Sequence, residues 1–159
     1  MSIHVRRAAI RDTDVVASVF RAVVEPLALY NAEARQAELE KYDAHGMRAL
    51  ILDEKAYVGL VLIDDDPVGF SIAEPDGDLW WLAWFGVLPR ARGQQLGCRL
   101  VENMISIARQ RGLRKIWCDS RAENHRSIAI LQATGFERIC DLPNHWYGQD
   151  YVLWQIALA

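Results

Sequence analysis

The sequence predicts a mixed α/β domain built on one sheet, and three observations carry that expectation. Apolar, strand-like runs over residues 56–63, 68–73 and 79–87 follow one another across two acidic turns containing proline or glycine, which describes an antiparallel meander. A long amphipathic helical pattern comes next, then a strand, a second helix and two terminal strands, a β-α-β-α-β continuation. No repeat, low-complexity tract or linker interrupts this order, so residues 1–159 read as a single domain.

The elements follow in order. Residues 3–9 read as an opening strand. Asp12 or Thr13 is placed to cap a helix whose apolar positions Val15, Val16, Val19, Phe20, Val23 and Val24 repeat at helical spacing, and Pro26 ends or kinks it. Alanine and glutamate dominate residues 31–40, a second and more polar helix, which Gly46 breaks before a short turn over 47–52. The turns Asp64-Asp65-Asp66-Pro67 and Pro75-Asp76-Gly77-Asp78 join the three meander strands. Trp80, Trp81 and Trp84 in the third of these read as sheet packing. In the next helix Leu96, Leu100, Val101, Met104, Ile105 and Ala108 form one apolar stripe, and Gly112 suits its C-terminus. A strand over 116–119, a helix over 125–134 closed by Gly135, and strands over 136–139 and 151–156 complete the chain.

Bulk properties exclude several function classes. A composition 52% hydrophobic and 25% charged is that of a globular chain. A net charge of −3 speaks against a general nucleic-acid binder, so no nucleic-acid partner is expected. Cys98, Cys118 and Cys140 make no even disulfide set, and neither they nor His4, His45, His125 and His145 show metal-ligand spacing. No metal is expected, and reduced cysteines fit an intracellular chain. The longest apolar stretch, 79–88, falls short of the ~20 residues of a membrane helix, and MSIHVRRAAI lacks a signal core. The expectation is a cytoplasmic protein without a membrane partner. No G-x-G-x-x-G, Walker loop or G-x-S-x-G occurs, so dinucleotide, NTP and hydrolase readings lack support.

The informative segment is VLPRARGQQLGCRLVENMISIARQRG, residues 87–112. An apolar strand ends at Pro89, and an arginine-rich, glycine-punctuated loop opens directly into the amphipathic helix. The first N–H groups of a helix have no intrahelical partners, and its dipole adds partial positive charge there. Arg90, Arg92 and Arg99 add full charges, so this segment reads as a site for a phosphate-bearing ligand. Gly93 and Gly97 let the anion approach main-chain donors, and Arg90 or Arg92 supplies a charged hydrogen bond.

The order of elements and these residues resemble the GNAT superfamily of acyl-CoA N-acyltransferases over essentially the whole chain. The phosphate loop of that family, Arg/Gln-x-x-Gly-x-Gly/Ala, is similar to Arg92-Gly93-Gln94-Gln95-Leu96-Gly97 after Val87-Leu88-Pro89. Its Asn-x-x-(Ala/Ser)-x-x-x-Tyr-x-x-x-Gly-Phe segment resembles the run from Asn124 through Ser127 and Leu131 to Gly135-Phe136. Arg7-Ala8 with Asp12, and the Pro67-Val68-Gly69-Phe70 hairpin, also sit where that family has similar residues. The resemblance implies a mostly antiparallel mixed sheet of six or seven strands with about four helices, in which the strand ending at Val87 splays from its neighbour. It implies acetyl-CoA as co-substrate, held by Val87, Arg92, Gly93, Gln94, Gln95, Leu96 and Gly97, with Asn124 and Ser127 on the far side. An N–H near Val87 would polarise the thioester carbonyl.

The implied activity is transfer of acetyl to a primary amine in a ternary complex. Cys118-Asp119-Ser120-Arg121-Ala122-Glu123-Asn124 and the Pro143–Tyr147 segment resemble, more loosely, the ribosomal-protein alanine N-acetyltransferase branch, which puts Asp119 at its acidic position as the base. Two departures stand out. Gln95 replaces the second motif glycine, a change compatible with binding if its φ stays negative. Leu131 occupies the place of the tyrosine that protonates the departing thiolate in many relatives, which leaves Tyr147 or Tyr151 as the candidate acid. Loss of that acid also motivates an alternative, an acyl-CoA-binding or regulatory module with weak chemistry. The acceptor stays open between a small amine, a peptide N-terminus and a protein lysine. A homodimer, common among relatives, is compatible with the sequence.

Overall fold

In the computed structural model, which describes residues 1–159, the apolar meander lies at the centre of a seven-stranded sheet. The strands are β1 (Ile3–Arg7), β2 (Tyr57–Ile63), β3 (Asp66–Asp76), β4 (Leu79–Val87), β5 (Lys115–Arg121), β6 (Glu137–Leu142) and β7 (Tyr151–Ala157). Their order is β1-β2-β3-β4-β5-β7-β6, antiparallel throughout except between β4 and β5. Five helices flank it rather than about four: α1 (Thr13–Val24), α2 (Ala32–Lys41), α3 (Ala44–Leu52), α4 (Leu96–Gln110) and α5 (His125–Ala133). No helix is long and apolar enough to cross a membrane.

The sequence of β2, YVGLVLI, lacks polar residues because helices cover both sheet faces. Val58, Leu60 and Leu62 pack under α1 and α3 with Val16, Phe20, Met47, Phe70 and Ile72. Side chains alternate along a strand, so Tyr57 points the other way, toward Trp80, Val101, Met104 and Trp154 beneath α4. Every member of the α4 stripe read from the sequence is buried.

Several local expectations need correction. Asp12 does not cap α1: its carboxylate accepts from the Ala9 N–H at 2.7 Å and from the Arg6 guanidinium at 2.8 and 3.0 Å, locking the β1–α1 corner. The hydrogen bonds from Arg6, foremost, hold the Asp12 carboxyl down at about 2. Gly46 does not break structure. It lies in the first turn of α3, its N–H capped by Asp43 Oδ1 at 2.9 Å, and a Cβ there would lie 2.0 Å from the Lys41 carbonyl. The glycine permits a close chain approach rather than ending a helix. The first turn of the meander tightens to Asp64 and Asp65, both with positive φ, so Asp66 and Pro67 join β3. Both α4 and α5 end in glycines with positive φ, Gly112 and Gly135. Leu113 N–H to Ala108 C=O and Phe136 N–H to Leu131 C=O complete the Schellman pairs.

The feature that positions the site is the parallel pair. β4 and β5 are in register only at Trp80↔Ile116 and Trp81↔Trp117. Just beyond, the β3–β4 register shifts, with Ile72 opposite Trp84 but Ala73 opposite Leu82, which makes Ala83 the extra residue of a bulge. A bulge bends its strand and sharpens its twist. From there β4 leaves β5, and a gap opens in the sheet.

Candidate active site

A cavity of about 610 Å³ fills that gap. Its walls are Leu82 through Val87 on one side and Cys118, Asp119 and Ser120 on the other. The α4 loop closes one end, and Val23 of α1 with Leu27, Leu29 and Tyr30 from the α1–α2 connection closes the opposite end. Its size is that of a site for a cofactor or drug-sized molecule.

The loop end is built for an anion. The first helical bond of α4 runs from Arg99 N–H to the Gln95 carbonyl, leaving the N–H groups of Leu96, Gly97 and Cys98 without backbone partners. These three residues line the cavity with Arg92, Gly93 and Gln95, and Asn124 and Ser127 face them from α5. Gly93 has φ +86°, which glycine adopts without strain. Gly97 lets α5 come close, since a Cβ there would meet Ile130 Cδ1 at 2.7 Å. Asn124 caps α5 by accepting from Ser127 N–H at 3.2 Å. The open edge of β4 offers further main-chain groups. Leu88 N–H bonds to Val68 C=O at 2.8 Å, so strand alternation turns the Val87 N–H away from β3, into the gap.

Not every residue read from the sequence arrives there. Gln94 is turned away from the cavity, its Nε2 donating to the Ala91 carbonyl at 3.4 Å. Of the two arginine candidates Arg92 lines the cavity, whereas Arg90 pairs with Asp66 at 2.9 Å. Gln95 has φ +59° and ψ +26°, so the expected negative φ is not realised. The loop needs a left-handed residue before α4 and uses a non-glycine one, at a strain of ~1 kcal/mol. Arg126 is the cation that the sequence reading passed over. It lines the cavity and faces Arg92 closely enough to disfavour that guanidinium's charge, after burial as the larger cause. A signal existed: Arg126 sits in the first turn of α5, where a cation opposes the helix dipole and gains nothing locally.

The opposite end is apolar with one carboxylate. Tyr30 and Trp84 meet with centroids 5.3 Å apart, and Trp84 Nε1 donates to Glu38 Oε2 at 3.0 Å. Trp84 therefore lines the cavity as well as packing on the sheet. Asp119, near the end of β5, lines the cavity and accepts from Trp146 Nε1 at 2.7 Å. Burial is the main cause pushing its carboxyl up to about 6, opposed by the Trp146 hydrogen bond and the nearby His145, and reinforced by Glu38. Tyr147 does not line the cavity: it is exposed in a 3-10 turn before β7 with φ +55°. Tyr151 is buried outside the lining, and Tyr30 is the phenol that reaches the cavity. Burial raises the Tyr30 hydroxyl well above its ordinary range. Leu131 is a cavity wall. Cys118 is buried, which raises its thiol and makes it a poor nucleophile.

An open parallel pair, a helix N-terminus rich in free donors at one end and a carboxylate at the other define a family as well as a cavity. The chain belongs to the acetyltransferase (GNAT) family, whose profile matches residues 23–136. Among solved structures it is similar to the PaiA N-acetyltransferase of Thermoplasma acidophilum in complex with coenzyme A, at 16% identity and TM-score 0.81, over 99% of each chain. It is also similar to the ribosomal-protein-S18-alanine N-acetyltransferase of Escherichia coli, at 16% identity and TM-score 0.75, over 99% of this chain and 95% of that one. YncA of Salmonella typhimurium, solved with its cofactor acetyl-CoA, matches at 19% identity and TM-score 0.75, over 100% of this chain and 95% of that one. No curated protein sequence matches the chain. At these identities the structural likeness establishes the fold.

Proposed function

We propose that this protein is an acetyl-CoA-dependent N-acetyltransferase that acetylates a primary amine by direct transfer in a ternary complex. The observation that carries the reading is the continuity of one cavity from the free N–H groups of α4 to the carboxylate of Asp119. The pyrophosphate sits on Leu96, Gly97 and Cys98 N–H with Arg92 and Arg126, and the pantetheine arm follows the unpaired edge of β4. This course brings the thioester carbonyl to the Val87 N–H, which holds its oxygen as negative charge develops.

At the other end the acceptor ammonium gives one proton to Asp119. The freed lone pair attacks the acetyl carbon, the C–S bond breaks, and a second nitrogen proton goes to the leaving thiolate, leaving one on the amide. Amide and coenzyme A thiol result, and the proton on Asp119 returns to solvent. A thiol of pKa ~8.5 leaves well without a dedicated acid, which makes Leu131 compatible with turnover. The placement of Tyr147 outside the cavity removes support for that residue as the acid.

The second reading, an acyl-CoA-binding module without efficient chemistry, draws on the same absence of a phenol at Leu131. Thiol release from acetyl-CoA in the presence of a broad panel of primary amines separates the two. Amine-dependent release supports the enzyme, and tight binding without release supports the module.

A further inference from the structure

The acceptor end has a closed side. The loop between α1 and α2 and the loop between β6 and β7 are bonded to each other across more than a hundred residues of sequence. Asn31 N–H donates to Gln149 Oε1 at 3.1 Å, Asn31 Nδ2 to the Tyr147 carbonyl at 2.9 Å, and Gln149 Nε2 to the Leu29 carbonyl at 3.2 Å. Arg121, buried beneath, ties both loops: its Nε donates to Leu29 C=O at 2.8 Å and its Nη1 to Asp150 C=O. An extended peptide bound between these loops would need their main-chain groups as hydrogen-bond partners. Leu29 C=O, Asn31 N–H and Tyr147 C=O are already engaged with one another's loops.

What lies under this strap has a definite chemistry. Val23, Leu27 and Leu29 give an apolar wall, and the Tyr30–Trp84 pair adds aromatic faces. Asp119 is the one carboxylate lining the cavity, while the cavity's arginines, Arg92 and Arg126, stand at the loop end. Glu38 is outside the lining, with one oxygen accepting from the Trp84 indole. A ligand here can place one ammonium on Asp119 and an apolar body against the wall. A second ammonium would be desolvated among Val23, Leu27 and Leu29, which offer it no carboxylate.

Resting on the acetyltransferase reading, we propose that the acceptor is a small primary monoamine with an apolar, ring-sized body, and that the Asn31–Gln149–Leu29 strap excludes extended polypeptide. The test compares 2-phenylethylamine, spermidine and an alanine-initiated tetrapeptide, by thiol release from acetyl-CoA and by calorimetry on the protein saturated with coenzyme A. The expected result is a kcat/KM for 2-phenylethylamine ~100-fold above the other two, with the same ranking in binding. Gln149→Ala removes two strap bonds while leaving the Asn31 cap of α2 in place. It should narrow the preference over the tetrapeptide by ~10-fold through a lower peptide KM, with acetyl-CoA affinity unchanged. Peptide or spermidine used or bound as well as 2-phenylethylamine overturns the proposal, as does an unchanged preference in Gln149→Ala. If no amine is turned over, the binding series decides: selective binding of 2-phenylethylamine upholds the acceptor class and sinks the enzyme reading alone. Absence of binding by 2-phenylethylamine overturns the acceptor class.

Discussion

The indole Nε1 of Trp146 lies 2.7 Å from Oδ2 of Asp119, joining an exposed residue of the β6–β7 loop to a carboxylate at the wall of the cavity. Two opposed influences meet on that carboxylate. Burial disfavours its charge, and the indole hydrogen bond favours it. The balance leaves the carboxyl at about 6, where it is ionised near neutrality and still basic enough to take a proton from an ammonium.

As the proposed base, Asp119 should give the activity an acidic limb. Its raised pKa means that the base is lost as pH falls through about 6, so kcat/KM should drop tenfold per pH unit below that value. Asp119→Asn should lower kcat/KM by ~10²–10⁴-fold and abolish the limb. A pH profile of thiol release for both proteins checks this, and an unchanged limb in the variant would remove Asp119 from the mechanism.

Trp146→Phe keeps an aromatic ring and deletes the donor. The lost hydrogen bond stabilised the ionised carboxylate, so the limb should move to higher pH, with the plateau rate at alkaline pH largely retained. A limb that stays in place would show that Trp146 only packs against the loop.

Gln95→Gly removes the left-handed strain before α4. The relief of ~1 kcal/mol is offset by ~0.5–1 kcal/mol from the freer unfolded chain, and the net should be a stabilisation of no more than ~0.5 kcal/mol in urea unfolding, without weaker acetyl-CoA binding. A destabilised variant would mean that the Gln95 side chain makes a contribution larger than the strain.

Asp12→Asn breaks the Arg6 pair and weakens the bond to Ala9 N–H. Because Asp12 is held at about 2, below its unfolded value, its contribution is complete above pH ~4 and lost as pH falls toward 2. The variant should be less stable by ~1–2 kcal/mol at pH 7 and converge on the parent in acid. Denaturant midpoints across this range measure it.

Periodicity and turn chemistry made most of the architecture legible. The α4 stripe, the meander and both glycine C-caps follow from local rules, and they are where the structure puts them. The helix α3 was hidden because Gly46 reads as a breaker, although Asp43 three residues earlier was a cap signal. The loop end of the cavity was legible for a similar reason: its donors come from consecutive residues. At the acceptor end Asp119 was named through the resemblance, but its surroundings were not legible. Asp119 meets Trp146, and Leu29 meets Gln149 and Arg121, only after β5, β7 and the α1–α2 loop have been assembled. Tyr147 illustrates the limit, since it is a left-handed residue of its turn, a conformation its sequence does not announce, and it lies outside the cavity lining.

Calorimetric titration of acetyl-CoA into the protein and into Arg92→Ala tests the central claim most directly. One site of micromolar affinity, about −8 kcal/mol, weakened ~10-fold or more in the variant, is the predicted result. No binding, or binding indifferent to Arg92, would contradict the assignment of the cavity to acetyl-CoA.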